Sequence, residues 1–474
     1  MRIAGPNHEE PRFAGWRLLG LGFWQAWQMI GICTDVLVPR ADLPLVPHNP
    51  LLWILALTAL GYLSVTAMAG KLAPFLSRRP CFLAAGGLTA IGSIAVPVSI
   101  AFGQGATGAI AFFTGTISIS LGNALLLMMW GELWSTLATG RVGRHLYASY
   151  SFAFVLFFIA SALPSWVAVA FNAGMPIASA AILAACRNEP RREPPVLPLD
   201  AKSIPIVRIL FCVLVISIVY GLSQGIASAS SQNDPLFISK AFALAGIGIA
   251  VITLSMVAAP SSTEPVALYR PIIPAMTAGI ILMVLLPPLA RFIGTGLIIM
   301  GVYCLDMFLM LVSTDIAFRT RIPVALPFGM SIFCARSGTL LGSMTAATLQ
   351  HPELAPSETA GTVLHLGTLV LVLVGMLFFT QTDVQELYAV PRVAIDSSLE
   401  QKCASISRMC RLTNRESEVL VLLARGRTVR YICDELSIAQ GTAKHHVSNI
   451  YRKVGVFDRQ GLLDAIEQGA VGKA

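Results

Sequence analysis

Long apolar runs separated by short polar breaks fill the first 380 residues, and short amphipathic periods replace them afterwards. A helix that crosses a bilayer needs about 20 mostly apolar residues. Twelve runs approach that length: 18–38, 51–70, 81–102, 107–129, 146–163 and 166–186, then 204–225, 238–259, 272–289, 292–314, 324–349 and 361–380. Glycine and proline inside these runs do not count against them, because membrane helices tolerate both. The longest internal polar break, 187–203, is rich in proline and charge and divides the runs six and six.

After residue 410 the period changes. Thr413 is placed to cap a helix and Glu416, three residues on, to complete a capping box. Val419, Leu420, Leu422 and Leu423 give that helix an apolar face, and Gly426 stops it. A second short helix over 429–436 turns Ile432 and Leu436 inward. After a turn at 437–441 a third helix starts near Thr442. Its Ala443, Val447, Ile450 and Val454 share one face, while Lys444, His445, Ser448 and Arg452 lie on the other. A fourth helix over 459–468 keeps Leu462, Leu463 and Ile466 for packing. A short helix with a small-residue core face and a basic outer face, set after a tight turn, suits a major groove.

Composition agrees with a membrane protein carrying a water-exposed tail. Of 474 residues 55% are hydrophobic and only 12% charged, with mean hydropathy +0.72; soluble chains carry about 25% charged residues. The first seventeen residues lack the charge-then-apolar layout of a cleavable signal. Nine cysteines lie scattered, without CxxC or Cys/His ligand spacing, so neither disulfides nor a metal are expected. No nucleotide loop or catalytic constellation stands out, so the expectation is a non-enzyme without cofactor, metal or catalytic residues.

Lysine and arginine in the connections set the orientation. With the N-terminus inside, inner connections hold sixteen of them and outer ones three, Arg40, Lys240 and Arg291. The even span count then puts everything after Thr380 in the cytoplasm, where DNA is. Basic groups such as Arg452 and Lys453 can neutralise phosphates. Lys444, His445 and Ser448 are best placed to reach base edges, and Thr442 to cap the third helix and donate to a phosphate.

Two family resemblances rest on these residues. The opening Leu412 to Leu420, then Gly426, Ile432, Leu436 and the run Gly441 to Lys453 resemble the LuxR-type (GerE-like) helix-turn-helix. The resemblance implies bacterial promoter DNA as partner and a homodimer formed through the fourth helix, around Leu462, Leu463 and Ile466. The six-plus-six layout resembles the major facilitator transporters. So does the connection from Gly70 to Arg79, in which Gly70, Leu72, Ala73, Arg78 and Arg79 match that family's G-x-L-A-D-R-x-G-R-R loop. Pro74, Phe75 and Ser77 depart from it. The lost aspartate belongs to the family's gating machinery, which bears against active transport more than against the fold.

Ionisable residues inside the spans are few, and such residues are paired or functional. Asp35 lies near the outer end of the first span, Asp306 in the middle of the tenth and Arg336 in the middle of the eleventh. Asp306 and Arg336 either pair structurally or line a central cavity and contact a ligand. Glu132 is expected to pair with Arg141 or Arg144. Leu399, Cys403, Ile406 and Met409 or Cys410 suggest a short amphipathic helix ahead of the tail domain.

The fold expected is all-α: a polytopic bundle of twelve transmembrane helices, 6+6, followed by a C-terminal four-helix LuxR-type domain. The boundaries are 1–186 and 204–380 for the membrane halves, 187–203 and 381–410 for cytoplasmic linkers, and 411–474 for the DNA-binding domain. The function expected is a transcription regulator held in the bacterial inner membrane, lipid around it, with N-terminus and tail cytoplasmic. Its membrane part would sense a small molecule or membrane signal through Asp35, Asp306 and Arg336. The alternative is a major-facilitator-type transporter with an appended DNA-binding tail.

Overall fold

The computed structural model describes residues 16–33, 50–99, 105–137, 139–186, 206–231, 234, 236–258, 271–287, 290–350, 359–378, 392–424, 429–436 and 438–468. The chain divides into two compact units, Met1–Asp383 and Val384–Ala474. No strand occurs among the described residues.

The first unit carries α1 (Leu21–Cys33), α2 (Pro50–Leu72), α3 (Arg79–Val98), α4 (Ala106–Ser135), α5 (Thr139–Ser161) and α6 (Ser165–Ala185). Its second half carries α7 (Ile206–Ser231), α8 (Phe237–Ala258), α9 (Ile272–Leu285), α10 (Phe292–Thr320), α11 (Ala325–Leu349) and α12 (Thr359–Phe378). Each apolar run of the sequence becomes one helix. Eight of these, α2 to α8 and α10, are long and apolar enough to cross a bilayer, and α9 and α12 hold shorter apolar stretches. The number of crossings is therefore not fixed at twelve by length and hydropathy. α1 has 13 residues, preceded by a 3-10 turn at Trp16–Gly20, and α11 carries Arg336 in its middle.

Small residues let the helices approach. A Cβ at Gly342 of α11 would meet the Ile218 carbonyl oxygen of α7, and one at Gly329 would meet the Thr66 hydroxyl of α2. Such close approaches replace the hydrophobic drive that lipid removes. Three tryptophans fix the first half by donating indole N–H to buried acceptors. Trp24 bonds Asn123 at 2.6 Å, Trp27 bonds Ser93 at 2.7 Å and Trp130 bonds Ser179 at 2.9 Å. The two halves meet along α2 with α11 and α5 with α8. At the second seam the Phe157 and Phe242 rings stack 4.6 Å apart. Large apolar side chains such as Leu83, Trp166 and Val207 are about four-fifths exposed, as a lipid-facing surface requires.

α4 and α10 run past the ends of their apolar runs, to Ser135 and Thr320. The extension of α4 brings Glu132 under the link between α2 and α3. Its carboxylate accepts the backbone N–H of Phe75 at 2.9 Å and of Leu76 at 2.8 Å. The expected ion pair with Arg144 does not form, and the Arg141 side chain lies outside the described residues. A 3-10 turn at Phe75–Ser77 exposes N–H groups to the carboxylate, and these take it instead.

The second unit holds α13 (Arg392–Met409), α14 (Asn414–Ala424), α15 (Val429–Leu436), α16 (Gln440–Val454) and α17 (Arg459–Gln468). Its core is a single cluster in which Val419, Leu420, Ile432, Ala443, Ile450 and Leu462 are fully buried. Cys403 and Ile406 of α13 belong to the same cluster. The amphipathic helix ahead of the tail is thus part of the packed unit.

Candidate nucleic-acid interface and membrane cavity

α14 begins with the capping box that Thr413 and Glu416 spell out. The Thr413 N–H donates to Glu416 Oε2 at 2.8 Å, and the Glu416 N–H donates to Thr413 Oγ1 at 3.3 Å. α16 ends at Gly455, whose φ of 79° is the left-handed conformation that favours glycine, with its N–H on the Tyr451 carbonyl at 2.9 Å. These two ends fix α16 across α14 and α15.

Ala443, Ile450 and Val454 face the core, while Thr442, Lys444, His445, Ser448 and Arg452 are exposed. Thr442 is not the cap. The cap position is Ala439, which makes no side-chain bond, and Thr442 sits in the first turn. The helix starts earlier than expected because Gln440 and Gly441 are already helical.

Asn449 joins this face. Arg452 Nη2 donates to Asn449 Oδ1 at 3.0 Å, and Asn449 Nδ2 lies 3.2 Å from His445 Nε2. Residues 445, 449 and 452 share a helical stripe, so the ladder runs along the exposed face. Arginine only donates, so the Asn449 oxygen turns to Arg452 and its amide N–H to His445.

Lys453 is placed differently. Its Nζ lies 2.6 Å from Glu416 Oε2, with 30% of the lysine side chain and 5% of the glutamate side chain exposed. Burial pushes the Glu416 carboxyl up. The hydrogen bonds from Lys453 and Thr413 more than offset this and leave it below its ordinary value. In α17, Leu462 and Ile466 are spent in the core, and only Leu463 of the expected dimer trio keeps exposed surface.

In the membrane unit, Asp306 of α10 and Arg336 of α11 line one cavity of ≈ 40 Å³ together with Gln25 and Gln28 of α1. Of the two arrangements expected, the direct ion pair does not form: no contact within 4.0 Å joins the two charges. Arg336 instead gives Nη1, at 3.2 Å, and Nη2 to Gln28, whose amide is set with its oxygen toward the guanidinium. Sequence gives the depth of a charge in a helix but not the direction it faces, and a glutamine one helix away offered the nearer acceptor. Asp35 lies outside the described residues. Among the described residues no group of three or more His, Cys, Asp or Glu could hold a metal.

A family model described as "Bacterial regulatory proteins, luxR family" matches residues 411–465. The spore germination protein GerE of Bacillus subtilis (strain 168) is 39% identical over 59 residues, which are 12% of this chain and 80% of GerE. The transcriptional regulatory protein DegU of Brevibacillus brevis is 46% identical over 61 residues, 13% of this chain and 26% of DegU. The chain thus spans most of GerE but only about a quarter of DegU. Among solved structures, the major facilitator transporter FucP in the outward conformation aligns with TM-score 0.53 at 13% identity, over 77% of this chain and 98% of FucP. A bacterial homologue of the iron transporter ferroportin, outward-facing, aligns with TM-score 0.52 at 14% identity, over 76% of this chain and 96% of that one. At such identity the likeness is one of fold. Through its C-terminal domain the chain belongs to the LuxR family of bacterial regulatory proteins, and that domain follows a membrane unit with the major facilitator fold.

Proposed function

We propose that this protein is a membrane-anchored, one-component transcription regulator. The carrying observation is a complete LuxR-type domain whose exposed α16 face, Lys444, His445, Ser448 and Arg452, is not consumed by its own packing. In this reading Lys444, His445 and Ser448 read base edges, while Thr442 and Arg452 meet phosphates, and so does Lys453 when it leaves Glu416. The domain works as a dimer on promoter DNA, with Leu463 the apolar residue of α17 left for the contact. The membrane unit, inner-membrane and with both ends cytoplasmic, senses a small molecule through Asp306 and Arg336, with Asp35 a further candidate. Two features support a regulatory over a transport role. The Gly70–Arg79 link lacks the family's aspartate, and Glu132 holds that link through backbone N–H groups.

Crosslinking of the intact protein in cells, followed by sequencing of DNA recovered with the membrane fraction, tests the proposal. Enrichment of discrete promoter segments is expected. Uniform recovery of chromosomal DNA would contradict it. The transporter-like fold also favours the second reading, a transporter with a regulatory tail. Accumulation of substrate in vesicles that contain the protein, and none in empty ones, would select that reading.

A further inference from the structure

Two charges of opposite sign face one cavity of the membrane unit without meeting. Asp306 makes no hydrogen bond and no ion pair within 4.0 Å among the described residues. Among the described residues Arg336 bonds Gln28 alone, and its Nε is buried without a partner. Gln25, on the same cavity, has its side-chain oxygen buried without a partner as well. Charges held away from water are costly unless something of opposite charge reaches them. Here the two do not touch, although α10 and α11 carry them to one space.

We infer that this cavity binds a small zwitterion, with its anionic group on Arg336 and its ammonium on Asp306. The inference rests on the sensing role proposed for the membrane unit and names what is sensed. An anion alone would leave Asp306 uncompensated, and a metal cation would be repelled by Arg336. The guanidinium fork suits a carboxylate, and Gln25, which lines the same cavity and whose oxygen has no partner, adds an acceptor for the ammonium. Size restricts the class. The cavity of ≈ 40 Å³ shares Gln28 and Arg336 with a second of ≈ 20 Å³. One water needs about 10–15 Å³ on this scale, so the two spaces suit amino acids no larger than glycine or alanine. The two glutamines belong to the first half of the unit and the charges to the second. Occupancy therefore favours the arrangement of halves that holds all four groups together.

The test is thermal unfolding of the full-length, detergent-purified protein, without DNA. Glycine or L-alanine at 10 mM, about one hundred times an assumed Kd of 0.1 mM, should raise Tm by at least ~2 °C. Acetate and methylammonium supplied together, and L-phenylalanine, should not. Asp306→Asn and Arg336→Gln should each abolish the shift, and Asp306→Asn should not lower the ligand-free Tm. The comparison of a zwitterion with its separate halves needs no variant. Absence of a shift with both glycine and alanine, an equal shift with the separate ions, or a shift retained in Asp306→Asn would overturn the inference. A shift that leaves promoter binding by the intact protein unchanged would instead sink the sensing role and leave the site standing.

Discussion

The Lys453 ammonium sits 2.6 Å from the buried Glu416 carboxylate, which ties the C-terminal end of α16 to the capping box that starts α14. One carboxylate serves both the helix start and the helix-to-helix bond. Lys453→Ala would leave that carboxylate short of a partner. The lysine is part-exposed, so the cost is set below that of a fully buried pair, at about 1–2 kcal/mol. Urea unfolding of residues 384–474 measures it. An unchanged midpoint would show that the bond is incidental. The isolated tail is a fair object: it has its own core, and GerE, most of which this domain covers, is little more than the domain.

The same bond gives the tail an acid dependence. The folded Glu416 carboxyl lies below its ordinary value of 4.5. A carboxyl lowered on folding contributes stability that is complete above the ordinary value and lost as pH falls through the folded one. Stability of the tail should therefore drop below about pH 4.5, and Glu416→Gln should flatten that part of the curve. Parallel curves for wild type and variant would assign the acid loss to other groups.

Lys444 and Arg452 should fail in different ways. Lys444→Ala should cost about 1–3 kcal/mol on the preferred site and little on random DNA, which narrows the ratio. Arg452→Ala should weaken both DNAs alike and make the salt dependence shallower by about one unit of slope. Titrations at several salt concentrations separate the two. A Lys444→Ala tail with an unchanged ratio and a lower slope would move that lysine to the phosphates.

Glu132→Ala removes the acceptor of two backbone N–H groups, of Phe75 and Leu76. Leaving buried donors unmatched costs about 1–3 kcal/mol. The membrane unit should lose thermal stability in detergent, with Glu132→Gln milder because it keeps one acceptor oxygen. Equal Tm for all three proteins would show that the link is held by packing alone.

Orientation is checked with a reporter enzyme active only outside the membrane. Fused after Thr380 it should be silent, and fused at Asn233 active. The reverse pattern would put the tail on the wrong side of the membrane for reading DNA.

Hydropathy made the helices legible because each run must satisfy its backbone internally once lipid surrounds it. Each run is one helix, but among the described helices only eight are long and apolar enough to cross a bilayer, and α11, though continuous, carries Arg336 in its middle. In the tail, capping chemistry and the buried stripe of α16 were legible because they are local. What escaped depended on direction. Lys453 reads as one more basic residue, yet it follows Ile450 by three positions and so lies beside the buried stripe, facing α14. Glu132 lies 57 residues from the N–H of Phe75 that it accepts, and nothing local marks that meeting. Asp306 and Arg336 were each visible as intramembrane charges, but their separation and the role of Gln28 needed the packed helices.

The most direct test of the account is DNA binding by residues 384–474, dimerised by an appended coiled coil, on promoter fragments recovered with the intact protein. The account predicts binding to the promoter fragment that exceeds binding to random DNA of equal length by at least ~10³-fold at physiological salt, with affinity falling steeply as salt rises. A folded, dimeric tail that binds neither DNA, or both equally, would contradict it.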